Sequence, residues 1–556
     1  MASPLSAISF GALYNWRNHL LDKIHRVFGP VFFLLAVTAF GQPVSVITNR
    51  YGNDRQGVNQ SETVLNTSNV TDSTFGKLFS LPVDGQVYAQ PLYLPHVTIA
   101  GVVHNVVYTV TENNSIYAFD ADSATAQVLW HVNVGPPIPC SAIPICTTYK
   151  GLQPIIGITS TPVIDAASGT IYVVAETFVN SVAAFYLHAL DVTSGRERLG
   201  SPAQISGKVL GTGDPSYPSD APGGQLVFNA FMEWQRPGLL ELNGNIYIAF
   251  SGHQDTRPYH GWLFGYDGTS LRRVLIKCIT PNGIEGGIWQ SGAGLTADAL
   301  GNVYLSVGNG TFDANTGGSD YGETVLKMNA ISGMVVTTFF TPSNFQALND
   351  DDADVGSVGT ILLPGEQYAV AGSKAGVFFL LNSSQLGGYS SGPDAVLQEW
   401  PTDVKQYGDP IFYNNILYEW GAGWHAVGYQ FNGSSFNTTP LIQGTDVAQA
   451  PAYANEPALG VSANGTTAGT GILWAAYSVS GQSDGFSYQG VFSAYNASTL
   501  NRIWSSEDNH ARDDLGGWAK WATPTIANGK VYIPSFGSVN LSTPGGYSIN
   551  VYGPLH

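Results

Sequence analysis

One phrase recurs along this chain: a short apolar strand, a turn, a second strand rich in Val, Ile and Tyr, and then an Asp-centred turn. Its fullest copy runs from Thr161 to Gly195. It holds Pro162-Val163-Ile164, then Ile171-Tyr172-Val173-Val174, then Leu187-His188-Ala189-Leu190, closed by Asp191-Val192-Thr193-Ser194-Gly195. Short runs of β-branched and aromatic residues punctuated by Asp, Ser and Gly are consecutive antiparallel strands. Further copies start at Gln90-Pro91-Leu92-Tyr93, Gly238-Leu239-Leu240, Gly301-Asn302-Val303-Tyr304, Thr360-Ile361-Leu362, Asp409-Pro410-Ile411, Gly471-Ile472-Leu473 and Thr523-Pro524-Thr525-Ile526. A sheet-sized unit repeating at roughly 50 to 75 residues is a β-propeller, and these copies make about eight blades.

The expected fold is therefore all-β: an eight-bladed β-propeller of four-stranded antiparallel blades. The last copy, ending in Gly529-Lys530-Val531-Tyr532-Ile533-Pro534, has too few strands of its own, whereas Phe75-Gly76-Lys77-Leu78-Phe79 stands before the first full blade as an orphan. Pairing the two closes the ring and leaves no free edge. Composition agrees, since 65 Gly and 31 Pro in 556 residues suit turns, and 44% hydrophobic residues suffice for one large core. A net charge of -18 argues against nucleic acid and anionic membrane as partners.

Residues 1–41 read as a signal peptide, with Arg17, Lys23 and Arg26 before the apolar run from Val27 to Phe40. That run is too short for a membrane span, which needs about 20 residues. Residues 42–74, rich in Asn, Ser and Thr, read as an extended lead-in, and 75–556 as the propeller. Export, to the periplasm or the medium, makes disulfides possible. Cys140 and Cys146, in one Pro-rich loop, are the expected pair, and Cys278 is expected to be a buried free thiol.

At the level of its repeats the chain resembles the quinoprotein propellers, dehydrogenases that bind pyrroloquinoline quinone on the axis of an eight-bladed ring. The family's blade phrase A-x-D-x-x-T-G-x-x-x-W is matched by Ala118 to Thr125 before Trp130, and by Ala189 to Gly195. More specific is the region from Glu285 to Lys374. Gly286-Gly287-Ile288-Trp289 and Gly308-Asn309-Gly310 resemble the segment whose Trp floors the quinone and whose Asn binds calcium. Asp354, in Asp350 to Asp354, falls on the family's proton-accepting Asp beside the metal, and Lys374 on the cation that reaches the quinone oxygens. The chemistry suits these types: an aromatic face for a planar cofactor, oxygen donors for a hard cation, and a carboxylate to take an alcohol proton.

The resemblance implies pyrroloquinoline quinone and calcium as cofactors, Asn309 and Asp354 on the metal, Trp289 and Lys374 on the quinone, and a small alcohol or sugar as substrate. Two features of the family are missing. There is no vicinal Cys pair, and the calcium-binding Glu of the second blade has no clean counterpart. Val179 or Asn180 falls near its position, with Glu176 upstream. The other function open to this fold is a non-catalytic propeller that binds a peptide, glycan or partner protein. Loop clusters at His253-Gln254-Asp255, Tyr259-His260-Gly261-Trp262, and Asp313 with Asp320 to Glu323 are further candidates for binding.

Overall fold

The computed structural model describes residues 44–143, 152, 154–215, 224–402, 404–448, 456–479, 488–537 and 546–555, so the leader at 1–41 and Cys146 lie outside the described residues. The described chain forms eight four-stranded antiparallel blades, some carrying an extra edge strand. Their innermost strands begin at Leu92, Val163, Leu240, Thr296, Ile361, Ile411, Ala458 and Thr525, which define blades 1 to 8. The ring closes as expected. Phe75–Pro82 pairs antiparallel with Ser548–Pro554, from Phe75↔Pro554 to Pro82↔Ser548 with a register shift between Lys77 and Phe79, and so completes blade 8.

Apolar side chains between neighbouring blades form the cores. Trp262 packs with Phe228, Phe250 and Phe264 between blades 2 and 3, and Trp504 meets Phe75 edge-on at 5.1 Å between blades 7 and 8. The blade phrase has a physical reason here. Trp130 of blade 1 donates from Nε1 to Val192 O of blade 2 at 2.8 Å, and its ring lies over Gly195. Gly195 has φ +66°, and a Cβ there would sit 2.6 Å from Trp130 Cε3, so the turn facing this indole has no room for a side chain.

The segment before Phe75 runs across the innermost strands of all eight blades. Val46 bridges Tyr93, Ile47 O accepts from Ile164 N, and Asn53 Nδ2 donates to Glu241 O. Arg55 Nε donates to Leu295 O, Gln56 Nε2 to Leu362 O, and Gln56 O accepts from Phe412 N. Val58–Asn59 then pairs in parallel with Val461 and Ser462, and Asn59 Nδ2 donates to Ile526 O. Innermost strands expose one unpaired edge to the channel, and this segment supplies the missing partners. Arg55, wholly buried, satisfies its guanidinium on Leu295 O, Thr48 Oγ1 and Asn49 O.

Candidate active site

Two sets of loops at one end of the ring line the axial cavity: those entering the innermost strands of blades 1, 3, 4, 5, 6 and 8, and those leaving the second strands of blades 3, 4 and 5. Trp289 and Asp354 belong to the first set, preceding Thr296–Ala297 and Ile361–Leu362. Asn309 and Lys374 belong to the second, following Asn302–Ser306 and Tyr368–Ser373. All four line one axial cavity of about 530 Å³, within the usual size of a small-molecule site. Sequence positions spread over 85 residues are thereby gathered by the propeller (374 − 289).

Asp354 is buried, its Oδ2 against Gly308, where a Cβ would come within 2.9 Å. Burial first, then repulsion from Asp352 and Asp255, raises its carboxyl above the ordinary range, with Lys374 opposing. Lys374 Nζ lies 2.6 Å from Asp352 Oδ2 and 3.9 Å from Asp354 Oδ1. Burial alone would lower the Lys374 amine, but Asp354 and Asp352 outweigh it and hold it above its ordinary value. Its backbone N–H donates to Asp354 O at 2.9 Å, which ties the two loops together.

A second carboxyl supports the first. Glu323, fully buried and at φ +53°, accepts from Val355 N at Oε2 (2.9 Å), while its Oε1 has no hydrogen-bond partner. Burial and the neighbouring Asp354 push its pKa well up. Of the acidic cluster noted around it, Asp313 and Asp320 accept backbone N–H groups and shape their own turns. His260 is likewise structural, with Nε2 2.9 Å from Asp214 O and Nδ1 3.0 Å from Thr280 Oγ1.

A hard cation would find oxygen donors here. Asn309 Oδ1 is buried with no donor to it, while its amide donates to Asn349 O at 3.4 Å, and Asp354 lines the same cavity. Among the described residues no three His, Cys, Asp or Glu side chains form a metal cluster, so a cation would also need oxygens from a ligand or from water. The missing glutamate of blade 2 is instructive. Val179 is 51% exposed and Asn180 sits in the hairpin turn, so neither reaches the axis. Glu176 is wholly buried and faces His253 Nε2 at 3.5 Å, and His253 in turn stacks on Trp234, a cavity residue. Burial raises the Glu176 pKa, with His253 opposing.

The cavity also holds residues that motif reading missed: Tyr88, Trp234, Arg236, Tyr407, Lys520 and Trp521. A signal for most of them was present. Tyr88, Trp234, Tyr407 and Trp521 each stand three residues before the proline of a blade entry: Pro91, Pro237, Pro410 and Pro524. Trp521 meets Trp289 edge-on, with centroids 4.9 Å apart and planes at 84°. In place of a vicinal Cys pair, the loop carrying Cys140 packs into the apolar cluster of Trp234 and Trp289, and Leu152 from beyond it lines the cavity. Cys140 is disulfide-bonded and Cys278 is a free, buried thiol.

No protein-family model matches the chain, and no curated protein matches it in sequence. Solved structures do match its fold. The quinohemoprotein alcohol dehydrogenase of Comamonas testosteroni is 15% identical with a TM-score of 0.52, over 92% of this chain and 80% of its own. That of Pseudomonas putida HK5 is 12% identical with a TM-score of 0.55, over 92% and 80%. A europium-containing methanol dehydrogenase is 12% identical with a TM-score of 0.58, over 92% and 98%. The chain has the propeller fold of these quinoprotein dehydrogenases.

Proposed function

We propose that this protein is an exported quinoprotein dehydrogenase that oxidises a small alcohol or sugar with pyrroloquinoline quinone and calcium. The observation that carries the reading is convergence: Trp289, Asn309, Asp354 and Lys374, picked out by motif alone, line one cavity on the axis. Fold likeness to the alcohol and methanol dehydrogenases supports it. Export is supported by the disulfide at Cys140, a bond that persists in oxidising compartments. Among the described residues no helix is long and apolar enough to cross a membrane.

Pyrroloquinoline quinone, when bound, would supply an electrophilic carbonyl able to accept the two electrons of the carbinol, and calcium would supply Lewis-acid polarisation. The chain does the rest. Trp289 offers an aromatic face, and Asn309 Oδ1 with Asp354 offers oxygen donors for the cation. Asp354 receives the hydroxyl proton at Oδ1, the oxygen that Lys374 attends at 3.9 Å. Trp234, Trp521 and Leu152 add aromatic and apolar surface to the cavity wall.

The test adds pyrroloquinoline quinone with calcium to the isolated protein. A rise in melting temperature and a shift of the quinone absorbance are expected, since a ligand at 100 times its Kd stabilises by about 2.7 kcal/mol. Asp354→Asn should keep the binding signals and lower alcohol turnover with an artificial acceptor by about 10²- to 10⁴-fold. Saturating quinone that produces neither signal removes the enzyme reading and leaves a propeller that binds some other ligand in the same cavity.

A further inference from the structure

Lys520 and Trp521 stand on the loop entering blade 8, where the backbone is held against its ordinary preference. Trp521 has φ +59°, a left-handed conformation rare for a bulky side chain and found where the surroundings impose it. Both side chains line the axial cavity. Lys520 Nζ lies 3.8 Å from the centroid of the Trp521 ring, and Trp289 meets that ring edge-on. Trp521 Nε1 is buried without a hydrogen-bond acceptor.

Other lysines of the chain are satisfied by oxygen. Lys374 Nζ sits 2.6 Å from Asp352 Oδ2, Lys530 Nζ 2.6 Å from Asp122 Oδ1, and Lys327 Nζ 2.8 Å from Ser383 O. Lys520 has no such acceptor among the described residues, and an aromatic face stands where a carboxylate would. The charges that act on it are both cations: Arg236, from the loop entering blade 3, and Lys374, from the loop leaving the second strand of blade 5. Arg236 is itself offset by Glu112 and Asp409, and Lys374 by Asp352 and Asp354. The remaining charged side chains of the cavity, Asp255, Asp351 and Lys405, are not among the charges that act on Lys520. Burial, with Arg236 and Lys374 repelling, lowers its amine to about 7. A desolvated amine beside other cations is a nucleophile at neutral pH, whereas an ordinary lysine is protonated there.

We propose that Lys520 is a carbonyl-condensing residue, whose amine adds to an aldehyde admitted to the cavity and holds it as an imine, with aromatic aldehydes preferred because Trp521 and Trp289 wall the position. The step needs no oxidant or reductant. The nitrogen lone pair forms the C–N bond as the carbonyl π pair moves to oxygen, and both amine protons leave with that oxygen as water when the second C–N bond forms. Trp521 Nε1, a donor without an acceptor, is available to the oxygen before it departs. The proposal stands apart from the quinone reading, since it needs only the cavity and the amine. In a dehydrogenase acting on a primary alcohol, the captured aldehyde would be the product itself, released again by water.

The test uses the full chain without added quinone, incubated with benzaldehyde and sodium cyanoborohydride, which reduces an imine to a stable secondary amine. Peptide mass spectrometry then reads which lysines carry the benzyl group. At about pH 7.5 Lys520 should be labelled roughly 10- to 100-fold faster than any other lysine, because an ordinary amine of pKa about 10.4 is neutral there in only about one molecule in a thousand. The Lys520 rate should level off above about pH 8, while the other lysines keep gaining toward about pH 10. Unfolding in guanidinium should erase the preference, and Lys520→Arg, which keeps the charge but cannot condense, should lose the adduct. Measured against the unfolded chain, benzaldehyde should show a larger preference than propanal.

Labelling of wild type that follows exposure, with Lys520 no faster than the rest, overturns the proposal, and so does a Lys520 rate that rises only near about pH 10. A preference equal for propanal and benzaldehyde overturns the aromatic selectivity. The wild-type peptide map decides these points even should Lys520→Arg fail to fold. None of these results bears on quinone binding, which the melting temperature and the quinone absorbance decide separately.

Discussion

At the scale of single residues, the site is defined by charges placed against their ordinary preferences. Lys520 gives the clearest consequence for stability. Its amine titrates near 7 in the folded chain and near 10.4 when unfolded, so between those values the unfolded state binds more protons. Stability therefore rises with pH across that window, and the penalty is fully present below pH 7. Lys520→Met should be more stable than wild type at pH 7, with the gap closing toward pH 10, as read by urea midpoints at both ends. Cys278 is opposite in kind: burial pushes its thiol far up, so it should resist a thiol reagent in the native protein. One thiol per chain should react once the unreduced protein is unfolded. Trp289, Asn309, Asp354 and Lys374 were legible because they sit in local motifs. Arg236 and Lys520 were not, because their burial and charge surroundings come from several blades.

At the scale of elements, the repeated phrase is a docking device. The Trp130 indole of blade 1 rests on the Gly195 turn of blade 2, and Gly195 leaves no space for a Cβ beneath it. Gly195→Ala forces both the contact and a left-handed backbone, and should cost about 1–3 kcal/mol. Trp130→Phe removes the hydrogen bond to Val192 O and should cost about 1–3 kcal/mol. Denaturant midpoints measure both. The motif could be read from sequence as a repeat, but its role could not, because the two halves of each contact lie in different blades.

At the scale of the whole molecule, the residues from Val46 to Pro82 hold the ring together twice. They satisfy the edges of the innermost strands, and they supply the strand that completes blade 8. Arg55→Met strips donors from a fully buried site and should destabilise by about 3 kcal/mol or more in chemical melts. A chain begun after Pro82 lacks both functions and should lose its single cooperative transition in calorimetry, exposing strand edges that aggregate. The lead-in, poor in apolar runs, gave little sign of this from its sequence, because its contribution is made through backbone and polar groups whose partners lie in all eight blades.

By itself the sequence determined the class of fold, the blade count, the pairing that closes the ring, and four residues of the cavity. Those properties rest on local patterns: strand periodicity, turn chemistry and short motifs, each complete within one stretch of chain. Only the tertiary structure decided which loops share the axis. It brought Tyr88 of blade 1 and Trp521 of blade 8 to one cavity, turned Glu176 toward His253, and left Arg236 Nε and Nη2 without hydrogen-bond acceptors among the described residues. Such outcomes depend on burial and on charge partners remote in sequence, and a closed ring is what brings those partners within reach.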